Sequence, residues 1–220
     1  MKYITVKSPA ESSYIEKRSE FIGHISPAET NEDAINFINH IKENNRKARH
    51  NVYAYILRDG NISRYSDDGE PQGTAGIPVL EVLRKNNLTD VCCVVTRYFG
   101  GILLGGGGLV RAYSHSTALA IEAAEVLKMY KCSELILSLS YDLYGKITYI
   151  FSDYEIKQIN SDFSDGVKIT ARVKSELEKP FCNKLTDITF GKIKINKTAE
   201  IYDDFPKSVS YTHLRAHETR

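Results

Sequence analysis

The segment RYFGGILLGGGGLVRAYS, residues 97–114, contains six of the 14 glycines in this 220-residue chain. It follows an apolar run typical of a strand and continues into an alanine-rich amphipathic stretch typical of a helix. Bare backbone N–H groups at a helix N-terminus, flanked by arginines, suit the binding of an anion such as phosphate. We therefore predict an anion or nucleic-acid site built from Gly105, Gly106, Gly107, Gly108, Arg97 and Arg111.

A second chemical segment, YSDDGEPQGTAGIP, covers residues 65–78. Its three carboxylates could bind a hard cation or serve as a general acid and base, or they could only bond backbone N–H groups in a turn while Thr74 caps the next helix. The calcium-loop spacing is absent, and we expect no bound transition metal and no cofactor. We predict that this segment forms the opposite wall of the anion cleft and orients the arginines, through Asp67, Asp68, Glu70, Gln72, Gly73 and Thr74.

Neither nucleotide fingerprint fits the glycine-rich segment. No Lys-Ser or Lys-Thr follows the glycines, and the last glycine of G-x-G-x-x-G would fall on Val110 or Arg111. A packing alternative stays open, in which the glycines let the helix lie close to the sheet and both arginines pair with the carboxylates of residues 67–70.

A third segment, RKARHNVYAY, is basic and places Arg49 and His50 beside Tyr53 and Tyr55. Basic residues interleaved with aromatic ones suit a nucleic-acid backbone with stacked bases. The favourable position of cations at a helix C-terminus explains the same charges equally well.

The elements that must position these residues are predicted by apolar periodicity. Strands are expected at EFIGHIS, NVYAYIL, NISRYS and DVCCVVTRY, the middle two joined by an RDGN turn, and helices at NEDAINFINHIKENN, GIPVLEVLRKNN and GGLVRAYSHSTALAIEAAEVL. The first helix is capped by Thr30 or Asn31, and Pro78 is tolerated in the first turn of the second. Adjacent Cys92 and Cys93 should point to opposite faces of their strand.

The sequence after residue 131 predicts a different order of elements: strand, helix, strand, strand, helix, strand. Its predicted elements are SELILSLSY, YGKITYIFSDY, EIKQINSD, VKITARVK, ELEKPFCNKLTDIT and KIKINKTAEIY, with Pro180 either interrupting the second helix or lying in its first turn. The fold class is α+β, with a first domain over residues 1–131 and a ferredoxin-like βαββαβ domain over residues 132–206.

Composition limits the possible partners. A formal net charge of +1 excludes indiscriminate polyelectrolyte binding, so any anion site must be local. Four cysteines without CxxC spacing indicate buried thiols in a reducing cytoplasm, and no signal peptide or membrane span is expected. The peptide VSYTHLRAHET resembles the translation of a transposase sequencing adapter, so we interpret residues 207–220 as a non-native tail outside the fold.

Four blocks, KRSEFIG, ARHNVYAY, SDDGEPQGTAGIPVLEVL and VVTRYFGGILLGGGGLVRAYS, together resemble the YigZ/IMPACT family in its two-domain bacterial form. The resemblance implies an N-terminal domain similar to the second domain of a small-subunit ribosomal protein. It also implies a C-terminal domain similar to the last domain of elongation factor G. Eukaryotic members of the family regulate translation through a co-activator of an initiation-factor kinase, which implies a translation factor or a regulatory protein as partner. The arginine and glycine chemistry of the predicted site suits RNA or the ribosome.

Three hypotheses follow. The first is a translation-associated regulatory or RNA-binding module without catalytic chemistry, because no Ser/His/Asp or Cys/His set supplies an activated nucleophile. The second is a phosphate- or nucleotide-handling enzyme using the same glycine-rich loop, although it lacks the serines that follow the glycines in similar small-molecule kinases. The third is a protein-protein interaction adaptor working through the sheet of the ferredoxin-like domain.

Overall fold

A computed structural model describes residues 2–205 and divides them into two units, with the division after Lys128. The predicted tail, residues 207–220, lies outside the described residues. Within the described part of the chain, no helix is both long and apolar enough to cross a membrane.

The N-terminal unit is built on one antiparallel sheet with strand order β2-β3-β6-β4-β5. Its elements are β1 (Lys2–Val6), β2 (Ala10–Glu16), β3 (Ser19–Pro27), α1 (Asn31–Asn44), β4 (His50–Leu57), β5 (Ile62–Ser66), α2 (Gly76–Lys85), β6 (Val91–Tyr98) and α3 (Gly106–Ala123).

Two apolar layers cover the two faces of this sheet, because its central strand β6 is buried on both sides. Cys92 and Val94 pack in one cluster with the buried face of α1, whereas Cys93 and Val95 pack in the other with α2 and α3. The expectation that Cys92 and Cys93 point to opposite faces is therefore confirmed. The sheet between two helical layers places the start of α3 beside the end of β6.

Local signals set several helix starts. Thr30 caps α1 in a full capping box, in which its hydroxyl accepts from the Asp33 N–H and the Asp33 carboxylate accepts from the Thr30 N–H. Pro78 lies in the first turn of α2, where its missing N–H has no helical partner to lose. Both features agree with the sequence.

One expectation for this unit is wrong, and two of its strands were not predicted. The third helix ends at Ala123 rather than running through Val126 and Leu127, because the Glu125 carbonyl accepts a hydrogen bond from the Lys7 N–H and a strand starts at Val126. Strands β1 and β2 were not predicted. In β2, the half-buried positions include Ser12 and Glu16 while Ile15 is exposed, so the apolar signal is weak.

The C-terminal unit has antiparallel strand order β10-β7-β9-β8, with the helices α4 and α5 packed on one face. This is the βαββαβ ferredoxin-like arrangement that the sequence predicted. Its elements are β7 (Val126–Leu139), α4 (Tyr141–Tyr149), β8 (Lys157–Phe163), β9 (Val167–Lys174), α5 (Glu178–Thr189) and β10 (Lys194–Asp204).

The boundaries in this unit differ from the sequence expectation in three places. Strand β7 begins at Val126 instead of Ser133, and α4 begins at Tyr141 and ends at Tyr149, before a short 3-10 turn. Pro180 is the third residue of α5, where a helix tolerates it. Cys182 is half-buried, so only three of the four cysteines are the buried thiols that composition indicated.

Candidate functional site

Strand register in the N-terminal unit gathers residues that are far apart in sequence. Arg97, near the end of β6, lies opposite Phe21 of β3 on one side and opposite His50 of β4 on the other. The predicted Arg97 and His50 are therefore cross-strand neighbours. Arg49 is exposed immediately before β4.

Arg97 is buried in an ion pair. Its Nη1 donates to Glu70 Oε1 over 2.6 Å, and the Tyr113 hydroxyl donates to the same oxygen over 2.8 Å. The rings of Phe21 and Phe99 lie 5.5 and 5.6 Å from the guanidinium carbon. Glu70 thus neutralises Arg97, as the packing alternative expects for this arginine.

Burial affects two polar groups around the Arg97–Glu70 pair. Desolvation, followed by the adjacent Glu70 carboxylate, raises the pKa of Tyr113 far above its ordinary value, so the hydroxyl stays a donor. Nε of Arg97 is buried without a hydrogen-bond partner among the described residues. Arg97, Glu70 and Tyr113 therefore bind one another, and the Arg97 Nε–H is left without a partner among the described residues.

The carboxylate of Asp67 caps α2. Its two oxygens accept from the N–H groups of Gly73, Ala75 and Gly76 at 2.9, 3.1 and 2.8 Å. The Thr74 hydroxyl instead donates to the Pro71 carbonyl, so the expectation that Thr74 caps this helix is wrong. Asp67 can reach the helix because the residues between them turn back, with a positive φ at Gly73.

The carboxylate of Asp68 is also held by contacts within the protein. It accepts from the Asn51 N–H at 2.7 Å and from Lys42 Nζ at 2.8 Å. Nδ1 of His50 lies 2.9 Å from the Asp68 carbonyl oxygen, a hydrogen bond in which the ring donates. All three predicted carboxylates are thus held by protein groups, whereas Gln72 is exposed.

The N-terminus of α3 has the opposite character. Gly105 is its N-cap, with a φ of 72° that residues other than glycine rarely adopt. The first turn contains neither a capping side chain nor an acidic residue. A Cβ at Gly108 would lie 2.9 Å from the Leu104 Cβ, which is too close. Backbone conformation and packing therefore account for these two glycines.

Gly106 and Gly107 are not accounted for in this way. A Cβ at Gly106 would lie 3.8 Å from the Thr74 methyl group, and one at Gly107 would lie 3.7 Å from Arg111 Nη1, both ordinary contacts. Neither residue has a positive φ. The fold would accept side chains at both positions, and glycine costs a helix about 1 kcal/mol relative to alanine.

Arg111 differs from Arg97 in its surroundings. It is exposed, lies along the first turn of α3 beside Gly107, and forms no ion pair with any residue from 2 to 205. The structure therefore brings Arg111 to Gly107 and Thr74 to Gly106, and it places Arg97 in a separate, neutralised group.

Two contributors were missed from the sequence. Tyr113 completes the Glu70 pair, and its signal was a tyrosine on the buried face of an alanine-rich helix, where its hydroxyl needs a partner. Lys17, at the turn between β2 and β3, lines the same cavity as Arg111, and no sequence pattern had pointed to it. Among the described residues, no three His, Cys, Asp or Glu side chains are arranged to hold a metal ion.

Comparison with known proteins covers both units. Residues 17–121 match the Impact N-terminal domain, and residues 137–192 match DUF1949, a domain of unknown function. IMPACT family member YvyE of Bacillus subtilis is 38% identical over 89% of this chain and 90% of its own length. IMPACT family member YigZ of Escherichia coli is 31% identical over 81% of this chain and 89% of its own length.

A solved structure agrees with the fold. A crystal structure of a hypothetical protein is 29% identical, covers 91% of this chain and 98% of its own, and superposes with a TM-score of 0.58. Together with the two matched domains and the relatives that extend over nearly the whole length, this agreement shows that the chain belongs to the IMPACT family.

Proposed function

We propose that this protein is a translation-associated regulatory module that binds RNA, or a ribosomal partner, through phosphate groups and without catalytic chemistry. The observation that carries the proposal is the N-terminus of α3, where Arg111, exposed and without an ion pair among residues 2–205, lies beside an uncapped turn of glycines.

The electrostatic argument is direct. A helix N-terminus carries roughly half a positive charge, so a cation beside it is repelled unless an anion is present. Here a guanidinium lies next to Gly107, and no acidic side chain of the first turn offsets it. A phosphate group would satisfy both the backbone N–H groups and Arg111.

The glycines support the same ligand. Since Gly106 and Gly107 are required neither by φ nor by packing, their effect is to leave the first N–H groups of α3 accessible. A side chain there would hold a phosphate away from these donors. Thr74 of the acidic segment lies beside Gly106, which supports that segment as the neighbouring wall.

The absence of catalysis is supported by the cysteines. Desolvation raises the pKa of Cys93 to about 12 and that of Cys92 well above its ordinary value, so neither thiol is activated. Membership of the IMPACT family supports the translation-related role, through the regulation of translation that the family resemblance implies.

Binding of a fluorescent RNA oligomer, measured by anisotropy, tests the proposal. We expect Arg111→Ala to weaken binding on the order of tenfold, and Gly107→Val to abolish it in a protein that stays folded. Arg84→Ala is the matched control, since Arg84 is an exposed arginine in the last turn of α2, away from α3's first turn. Wild-type affinity in both site variants would contradict the proposal and leave the glycines without a binding role.

A second candidate function, a protein-protein adaptor, is favoured by one observation. The loop before α3 exposes Phe99, Ile102 and Leu103, the last at 81% of its possible surface. The sheet of the C-terminal unit is the weaker adaptor surface, because Arg172 there already pairs with Glu134 and Asp203. A Leu103→Ser variant that loses a protein partner while binding RNA normally would support the adaptor.

A further inference from the structure

A cavity of about 400 Å³ lies between the β2–β3 turn and the first two turns of α3. This volume falls within the roughly 300–1,000 Å³ typical of small-molecule sites. The side chains and backbone that matter in its wall are Tyr14, Glu16, Lys17, Gly108, Arg111 and His115.

The charges of the cavity favour an anion. Lys17 and Arg111 are both exposed, and neither forms an ion pair within the stretch from residue 2 to residue 205. The single carboxylate, that of Glu16, accepts a hydrogen bond from the Tyr14 hydroxyl over 2.7 Å. That bond raises the pKa of Tyr14, so the phenol remains a donor to Glu16. The cavity wall therefore contains two basic side chains and one carboxylate that is already hydrogen-bonded.

The position of Lys17 is fixed by an unusual turn. Lys17 and Arg18 have φ values of 46° and 65°, as the two central residues of a type I′ hairpin require, although neither is glycine. The backbone of Gly100 lies so close to Arg18 that a Cβ there would fall 2.0 Å from the Arg18 carbonyl oxygen. The loop before α3 thus braces the turn that carries Lys17.

Two aromatic side chains, with Leu104 and Ala112, line the rest of the wall. The rings of Tyr14 and His115 meet edge to face, with centroids 4.6 Å apart, and His115 is exposed on α3 one turn after Arg111. Phosphate alone needs neither an aromatic wall nor a cavity of this size. A nucleotide needs both, because nucleobases stack on such rings next to cations that bind their phosphates.

We infer that this cavity binds one nucleotide unit, with its phosphate on Lys17, Arg111 and the Gly108 N–H and its base or sugar against Tyr14 and His115. The inference rests on the proposed function, since both use Arg111, and it adds the class of ligand and the second cation. The sequence prediction assigned that second position to Arg97, whose charge is neutralised by Glu70.

Titration of the full chain with adenosine 5′-monophosphate, inorganic phosphate and adenosine, followed by amide NMR shifts, tests the inference. We expect the monophosphate to bind at least tenfold more tightly than phosphate, with shifts at residues 14–18 and 106–115. His115→Ala should lower monophosphate binding to the level of phosphate and leave phosphate binding unchanged. Equal affinities for monophosphate and phosphate in the wild type would overturn the inference.

The matched pair Lys17→Asn and Arg18→Asn separates a built site from general charge. Asparagine tolerates positive φ, so both variants keep the turn, and each removes one exposed cation. We expect only Lys17→Asn to weaken the monophosphate, by about tenfold. Equal losses in the two variants would overturn the assignment of Lys17.

RNA tetramers with a 5′-phosphate or a 5′-hydroxyl distinguish the sources of the nucleotide. Tighter binding of the 5′-phosphorylated tetramer than of the monophosphate supports an RNA end as the ligand, and the reverse order supports a free nucleotide. If a longer RNA depends on Arg111 while monophosphate and phosphate bind equally, this inference fails and the proposed function stands. If monophosphate binds as expected but RNA binding ignores Arg111, the proposed function fails instead.

Discussion

Helices α2 and α3 both begin in glycine-containing turns, and the two N-termini lie close together in the N-terminal unit, yet they are completed differently. At α2, the chain's own Asp67 carboxylate accepts from three N–H groups. At α3, the first turn has no capping side chain and no acidic residue, and an exposed Arg111 lies beside it. The difference separates a helix end that the chain itself completes from the one that we propose binds an external anion.

Arg97 and Arg111 extend the same comparison. Arg97 is paired with Glu70 and enclosed by aromatic rings, whereas Arg111 faces solvent. Changes on the α2 side should therefore reduce stability, and changes on the α3 side should reduce binding and leave stability nearly unchanged.

The largest effect is expected from Arg97→Ala. It leaves Glu70 buried without its counter-ion, which typically costs 3–5 kcal/mol, so we expect about that loss in the free energy of unfolding by urea denaturation. Arg111→Ala, the matched exposed arginine, should change the unfolding free energy by less than about 0.5 kcal/mol. A similar loss in both variants would remove the distinction between the two arginines.

Asp67→Ala should have the next largest effect. Removing a helix cap of this type costs about 1–2 kcal/mol, and the N–H groups of Gly73, Ala75 and Gly76 lose their acceptor together. Thermal and urea unfolding measure the loss. Thr74→Ala is the control, since its hydroxyl bonds only the Pro71 carbonyl, and an equal loss there would contradict the assignment of the cap to Asp67.

Gly107→Glu gives α3 the acidic first turn that it lacks. Helix propensity and the favourable charge at the N-terminus should together raise the free energy of unfolding by about 1 kcal/mol. RNA binding should fall more than tenfold, because the new carboxylate occupies the place proposed for phosphate. Anisotropy and urea denaturation check the two effects, and a variant that is both stabilised and fully able to bind RNA would contradict an open site.

The buried group of Arg97, Glu70 and Tyr113 also predicts a dependence of stability on pH. Burial raises the pKa of Tyr113, so above pH 10 the unfolded chain loses this proton while the folded chain keeps it, and stability falls as pH rises. One such group contributes a loss of about 1 kcal/mol between pH 10 and 11. Urea denaturation across this range should show a shallower fall for Tyr113→Phe than for the wild type, and parallel curves would contradict it.

The smallest effect is expected in the salt dependence of RNA binding. If Arg111 contacts one phosphate, Arg111→Ala should lower the slope of log K against log salt concentration by somewhat under one. Anisotropy titrations at several salt concentrations measure the slope, and Arg84→Ala should leave it unchanged. An unchanged slope in Arg111→Ala would mean that this residue does not contact the backbone of the RNA.

Much of the fold could be predicted from the sequence because its signals are local. The capping box at Thr30, the position of Pro78 and the alternation around Cys92 each need only a few neighbouring residues. The end of α3 was missed because EAAEVL favours a helix by composition, while the strand that replaces it depends on Lys7, more than a hundred residues away.

The site was less predictable for the same physical reason. The residue types named three carboxylates and two arginines, but only the tertiary fold decides that Glu70 pairs with Arg97, while Arg111 forms no ion pair among residues 2–205. Asp67 caps a helix that begins nine residues later, so a search of the two residues just before the helix finds Thr74 instead. Lys17 needed the fold of the β2–β3 turn before it could be linked to α3 at all.

The close approach of Gly100 to Arg18 has a kinetic consequence. Because the two backbones lie in close contact, we expect the loop before α3 and the β2–β3 turn to keep their spacing when a ligand enters the cavity. A ligand then meets walls already in place, and its association is governed by diffusion and by the pull of exposed cations. Ligands that compete for this cavity should therefore enter at similar rates and differ mainly in how long they stay.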